Sequence, residues 1–374
     1  MSAAGPSASG PSASASAPAP AETSAPAPAA AAPATQASPG PLQTDDSVLQ
    51  VEVDTAEPSD DDGDSAFGGG SNASTSIASS VLNYEYENGR RYHGYRSGSY
   101  VLPNDDEEQD RLDLIHHIFL LILDGKLYNA PVTNPKRVLD VGTGTGIWCL
   151  DFGDENPGSE VVGTDLSPIQ PSWVPPNVKF YIDDAESDWV YPPEEHFDLI
   201  HLREMSGSIA DWDRLCTQAY NNLKPGGWLE LQEPLAAFEA DDDTINGAQN
   251  IQSWQNALND GARKFGKEIK EAHTLKGRME KAGFVDVHER LIKVPVGPWA
   301  RDPKMKELGR YHREQLCQGI EPYTFGFLGK VMGWSEAECR VTIAKVINEV
   351  RDKTLHMYVR YYFTYGRKPE SAVH

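Results

Sequence analysis

A doubly wound α/β fold is what this sequence predicts, and three observations carry the prediction. From Arg137 onward, short runs of β-branched and aromatic residues alternate with stretches of helical length. The first of these runs passes straight into "GTGTG", with glycines at every second position, where a strand turns into a helix. Strand–helix alternation calls for a parallel sheet joined by right-handed crossovers, and a glycine turn after the first strand is where such a sheet receives a ligand.

The elements follow in order. The chain has 374 residues and a formal net charge of −23. Residues 1–80 are dominated by alanine, serine, proline, glycine and acid, and no Lys or Arg precedes Arg90. Such a stretch has too little apolar bulk to repay the entropy of ordering it, so it is expected to be a disordered tail. With so acidic a balance, direct binding to nucleic acid is not expected. No apolar run is long enough to span a membrane, and the N-terminus lacks the basic start and apolar core of a secretory signal. A soluble protein, cytoplasmic or nuclear and not secreted, is expected. Cys149, Cys216, Cys317 and Cys339 are far apart, which suggests reduced, buried thiols, and the ten histidines fall at no metal-ligand spacing.

"NDDEEQDRLDLIHHIFLLILDGKLY" opens with acids suited to a helix start and then places Leu112, Ile115, Phe119 and Ile122 at helical steps. It reads as a helix leading into the sheet. "RVLDVG", "EVVGTDL", "VKFYIDD", "FDLIHL" and "GGWLELQE" read as five strands. Gly142, Gly144 and Gly146 let backbone approach a ligand whose anionic end faces the next helix N-terminus. Their spacing departs from G-x-G-x-x-G, because Ile147 and Cys149 stand where that pattern puts its third glycine, and a nicotinamide dinucleotide is disfavoured. Asp165 ends the second strand, where a carboxylate can accept both hydroxyls of a ribose. Asp183, Asp184 and Ala185 end the third, where an adenine edge would lie.

Taken together, these pieces resemble the class I methyltransferases that use S-adenosylmethionine. Within that superfamily, "NGRRYHGYRSGSYVLPNDDEEQDRLDLIHH", "GTGTGIW", "GTDLSPIQPSWVPPNVKFYIDDAESDW" and "GPWARDPKMKELGRY" resemble the fungal LaeA-like methyltransferases of secondary metabolism, from about Asn88 to Lys368. The resemblance implies a methyltransferase domain over 81–368 with seven strands, the last antiparallel. It also implies an N-terminal helical segment over 88–135 and a helical cap over 298–353 between the last two strands.

It further implies cofactor contacts from Asp140, Gly142, Gly144 and Gly146 at the methionine end, Asp165 at the ribose, and Leu166, Asp184 and Ala185 around the adenine. The acceptor would be a small molecule; a LaeA-like regulator working with velvet-type protein partners is the other reading. His201, Arg203 and Glu204 end the fourth strand on the edge where the acceptor belongs, His201 as a candidate base, although its strand alternation equally admits a core role. Tyr92, His93, Tyr95 and Arg96 are candidates for closing the pocket. In the cap, Trp299, Phe325 and Trp334 are expected to face it.

Overall fold

The computed structural model describes residues 84–370, so the expectation for residues 1–80 lies outside the described part. A short antiparallel hairpin, β1 (Glu85–Glu87) and β2 (Arg90–Tyr92), comes first. The helical segment expected over 88–135 is therefore helical only over Asp106–Ile122, because Arg90–Tyr92 pairs as a strand with Glu85–Glu87. Helix α1 (Asp106–Ile122) then starts where those acids place it: the Asp105 side chain caps it by accepting from the Glu108 N–H.

The main sheet has the order β5-β4-β3-β6-β7-β9-β8, built from β3 (Arg137–Val141), β4 (Glu160–Asp165), β5 (Val178–Ile182), β6 (Phe197–Arg203), β7 (Leu223–Pro234), β8 (Val285–Pro295) and β9 (Tyr358–Arg367). Strands β3 to β7 pair in parallel, while β9 lies antiparallel between β7 and β8. The order reverses between β3 and β6, and that reversal opens a crevice at their carboxyl ends. Helices α2 (Ile147–Glu155), α3 (Trp212–Asn222), α4 (Gln249–Phe265) and α5 (Leu275–Ala282) connect the strands.

The insertion between β8 and β9 is helical. It comprises α6 (Pro303–Tyr323), a wider π-helical continuation (Thr324–Val331) and α7 (Glu336–Val350). Its apolar residues, with those of α1 and α4, form one core cluster that packs on the β8–β9 side of the sheet. The second cluster lies between β3, β6, β7 and helices α3 and α5. All four cysteines are free and buried. Among the described residues no helix is long and apolar enough to cross a membrane.

One buried acid ties the N-terminal segment to the sheet. Glu230 on β7 is wholly buried, and its carboxylate accepts from the Asn129 N–H (2.8 Å), the Ala130 N–H (2.7 Å) and the Gln232 Nε2 (2.9 Å). A carboxylate with several N–H donors is stable in a core because its charge is spread over short bonds. Glu230→Ala strands these donors and should cost about 3–5 kcal/mol, read by chemical denaturation. A loss below about 1 kcal/mol would mean that other acceptors replace the carboxylate.

Candidate active site

The crevice begins under the glycine turn. Asp140, near the end of β3, is buried beside His201 of β6, its register partner. The His201 Nδ1–H donates to Asp140 Oδ1 at 2.7 Å, and its ring stacks on Trp148 at 4.0 Å and 5°. The Cys149 thiol, pushed well up by burial, also points at Asp140. Asp140 therefore braces the turn from below and does not line the cavity above it. His201 is fully buried, with Nε2 unpartnered, and lines neither of the two large cavities described below. The candidate base is thus a core residue between strands.

Above the turn lies a cavity of about 870 Å³, counted to its open mouth. Gly142, Gly144, Asp165, Leu166, Asp183, Asp184 and Ala185 all line it, together with Arg203 and Glu204. Gly142 has φ +72°, and a Cβ there would collide with the Met205 thioether, so only glycine gives this wall its shape. Gly146 lies outside the lining; it starts α2 with φ +82°, and its Cβ would come within 2.5 Å of the Phe180 ring. Asp165 accepts from the Gly144 N–H with Oδ2 and from the Ser167 N–H with Oδ1, both at 2.8 Å. Burial raises its carboxyl above the usual range while these two bonds pull it back. Two bonds leave lone pairs on both oxygens for a ligand.

The roof comes from the segment before α1, though not from the residues singled out there. Ser99, Tyr100, Pro103 and Asn104 line the cavity. His93 is buried behind them, with Nδ1 2.7 Å from the Tyr95 carbonyl. Arg96 crosses the rim to Asp184 (2.9 Å) and Ser187 (2.8 Å).

Arg203 is held by a relay from α1 that the sequence reading missed. Its guanidinium donates to His116 Nδ1 at 3.2 Å, the His116 Nε2–H donates to Asp151 at 2.9 Å, and the Phe119 ring lies 4.8 Å beneath. Burial pushes the His116 imidazole down to about 4, so it stays a neutral acceptor for the arginine.

A second cavity, of about 840 Å³ to its mouth, lies on the other side of Glu204. Its walls are the Pro234–Phe238 segment after β7, Trp254 and Leu258 of α4, His312 to Tyr323 of α6, and Val359 and Tyr361 of β9. Glu204 lines both cavities, and a smaller space of about 230 Å³ is bounded by residues of each, Tyr100, Glu204, Ser206 and Tyr323. The cap lines this cavity, but not through the aromatic side chains singled out from the sequence. Trp299 donates its indole N–H to the Met357 carbonyl, Phe325 is buried beneath Arg340, and Trp334 packs on the core. These three line neither large cavity: Trp299 and Trp334 lie in the segments before and after α6 and its continuation, and Phe325 faces the core. Helix α4, which supplies a wall, was not read from the sequence.

Comparison with known proteins agrees with this architecture. A family model described as a methyltransferase domain matches residues 102–289. Methyltransferase pytC of Aspergillus terreus is 42% identical over 323 residues, 86% of this chain and 96% of that protein. Secondary metabolism regulator LAE1 of Cochliobolus heterostrophus is 38% identical over 76% of this chain and 94% of its own length. Secondary metabolism regulator laeA of Aspergillus fumisynnematus is 36% identical over 76% of each. The chain belongs to the class I, S-adenosylmethionine-dependent methyltransferases, in the LaeA-like family.

Asp165→Ala removes the carboxylate facing the first cavity and should weaken S-adenosylhomocysteine binding by about 2–4 kcal/mol, since bonds to charged groups are worth about 1.5–3 kcal/mol each and add incompletely. Calorimetry on the folded variant measures it; unchanged affinity would place the ribose elsewhere.

Proposed function

We propose that this chain binds S-adenosylmethionine in the cavity above the glycine turn and methylates a small, largely apolar molecule held in the second cavity. The meeting of the two cavities at Glu204 carries the reading. The residues present suit the cofactor: the Gly142–Gly144 backbone gives a close-approach wall, and Asp165 keeps lone pairs for the ribose hydroxyls. The Ala185 N–H makes no hydrogen bond among the described residues and sits where an adenine ring nitrogen could accept it. Leu166 offers an apolar contact for the base, and Asp184, tied to Arg96, closes the rim. Asp140 and Gly146 act from behind by fixing the turn. When bound, the cofactor supplies a methyl group already activated on a positive sulfonium.

What remains for the protein is to align the acceptor and exclude water, and proximity and orientation of this kind supply roughly 7–11 kcal/mol. The second cavity suits that task, being predominantly apolar with a few polar groups among its lining. The relatives named as secondary metabolism regulators support another reading, a methyltransferase-fold regulator that acts on or through protein partners.

One experiment separates the two. The full chain is incubated with methyl-labelled cofactor and fungal extract, beside a Gly319→Leu variant. Gly319 lines the second cavity, and a Cβ there meets only the Arg111 and Gln315 side chains, none nearer than 3.7 Å, so a larger side chain narrows the cavity without a backbone clash. Label should enter the low-mass fraction with the parent and fall by about tenfold or more with Gly319→Leu, while affinity for S-adenosylhomocysteine stays within about twofold. Label in polypeptide, unaffected by Gly319→Leu, would favour the regulatory reading.

A further inference from the structure

Glu204 sits in a conformation that a glutamate seldom adopts. Its φ is +59°, in the left-handed region, where a residue with a Cβ is strained unless its surroundings enforce it. They do so here. The Glu204 N–H donates to the Gln232 carbonyl, and the next two backbone N–H groups, Met205 (2.8 Å) and Ser206 (2.9 Å), are both gripped by the buried Glu233 carboxylate. The Ser206 hydroxyl adds a third bond at 2.8 Å. The turn projects the Glu204 side chain to the wall shared by the cavities, where its carboxyl accepts no hydrogen bond from the described residues. A carboxylate delivered to a junction at the cost of backbone strain and left without a donor is one kept for a ligand.

The groups around it define that ligand. Arg203 of β6 and Arg111 of α1 face Glu204 electrostatically, and burial nevertheless pushes its carboxyl up to about 7. Glu233 of β7 faces it as a second acid, pushed by burial up to about 8; Tyr323 of α6 and Tyr361 of β9 complete the surroundings. Lys267 lines the first cavity only. Among the described residues no lysine or arginine lines the second cavity. Its histidine, His312, is held neutral by burial, at about 4, and donates Nδ1–H to the Pro295 carbonyl, which leaves Nε2 as an acceptor. An anionic acceptor would find no cationic side chain on that wall to offset Glu204.

We propose that Glu204 is the group that takes the acceptor's proton, and that the acceptor is a neutral, largely apolar molecule bearing a weakly acidic hydroxyl, a phenol or an enol. The proposal rests on the methyltransferase reading above. In the step it describes, the acceptor O–H bond breaks, the proton passes to a Glu204 carboxylate oxygen, and the bonding pair stays on the acceptor oxygen, which is then the nucleophile. A carboxylate is a weak base, far closer in pKa to a phenol at about 10 than to an alcohol resembling water at about 15.7, so the site is matched to the more acidic hydroxyl.

Three probes of one shape test this on the full chain: β-naphthol, its methyl ether and β-naphthoate. Calorimetry first gives the affinity of the parent and of Glu204→Gln for S-adenosylhomocysteine, and each protein is then saturated with it. The parent should bind β-naphthol about tenfold tighter than the ether and exclude β-naphthoate increasingly as Glu204 ionises, from about pH 6 to about pH 8. In Glu204→Gln the pH dependence of naphthoate binding should shrink to the part that Glu233 contributes, with the preference for naphthol over ether reduced to about threefold or less.

Thermal melting supplies a second measure. A carboxyl raised from its unfolded value to about 7 stabilises the fold below the unfolded value and loses that contribution as pH rises through 7. Glu204→Gln should therefore melt higher than the parent at about pH 8 and alike near pH 4. Equal binding of naphthoate and naphthol by the parent, or discrimination unchanged in Glu204→Gln, would overturn the proposal and leave the methyltransferase reading standing. Failure of the parent to bind S-adenosylhomocysteine would remove both.

Discussion

The hydrogen bond between Asp140 and His201 joins the two central strands at the point where the sheet reverses direction, and the rest of the site depends on it. Strand β3 continues from there into the glycine turn on one side, and β6 continues into Arg203 and Glu204 on the other. A crevice at a topological switch needs a floor that does not spread, and a 2.7 Å contact between a buried carboxylate and a buried imidazole provides it. Trp148 stacks on the imidazole, which couples the floor to the first turn of α2. Two residues that the sequence offered as ligand contacts thus serve by holding apart the loops that line the cavity.

From that floor, the functional division follows the strand ends. The β3 turn, the end of β4 and the loop after β5 supply backbone and carboxylates to the first cavity, a surface suited to a nucleoside. The end of β7, α4, α6 and β9 supply apolar side chains to the second. Glu204 stands between, and Glu233 fixes it there by binding the backbone on its C-terminal side. Arg203 is set by His116 and Asp151, so the polar side of the junction is braced by helices α1 and α2 and the apolar side by the cap.

The sheet and the nucleoside side were legible because they obey local rules. Glycines that need positive φ, an aspartate closing a strand and period-two apolar runs all appear within a few residues of one another. The second cavity was less legible because its residues come from separate segments, a loop after β7, two helices and β9, that only the folded chain brings together. Aromatic content pointed to Trp299, Phe325 and Trp334, yet the lining uses His312, Tyr323 and Tyr361. His201 read correctly as alternating with the core, but burial is a property of both neighbouring strands and cannot be read from one. The hairpin of β1 and β2 carries no long apolar pattern; its Arg90 is instead paired with Asp105 at the start of α1.

The account stands most directly on where a cofactor's sulfur would lie. A crystal structure of the chain with S-adenosylhomocysteine should show the ribose hydroxyls on Asp165, the adenine beside Ala185 and Leu166, and the thioether sulfur at the opening toward Glu204 and the second cavity. A nucleoside bound elsewhere, or a sulfur turned away from that opening, would contradict it.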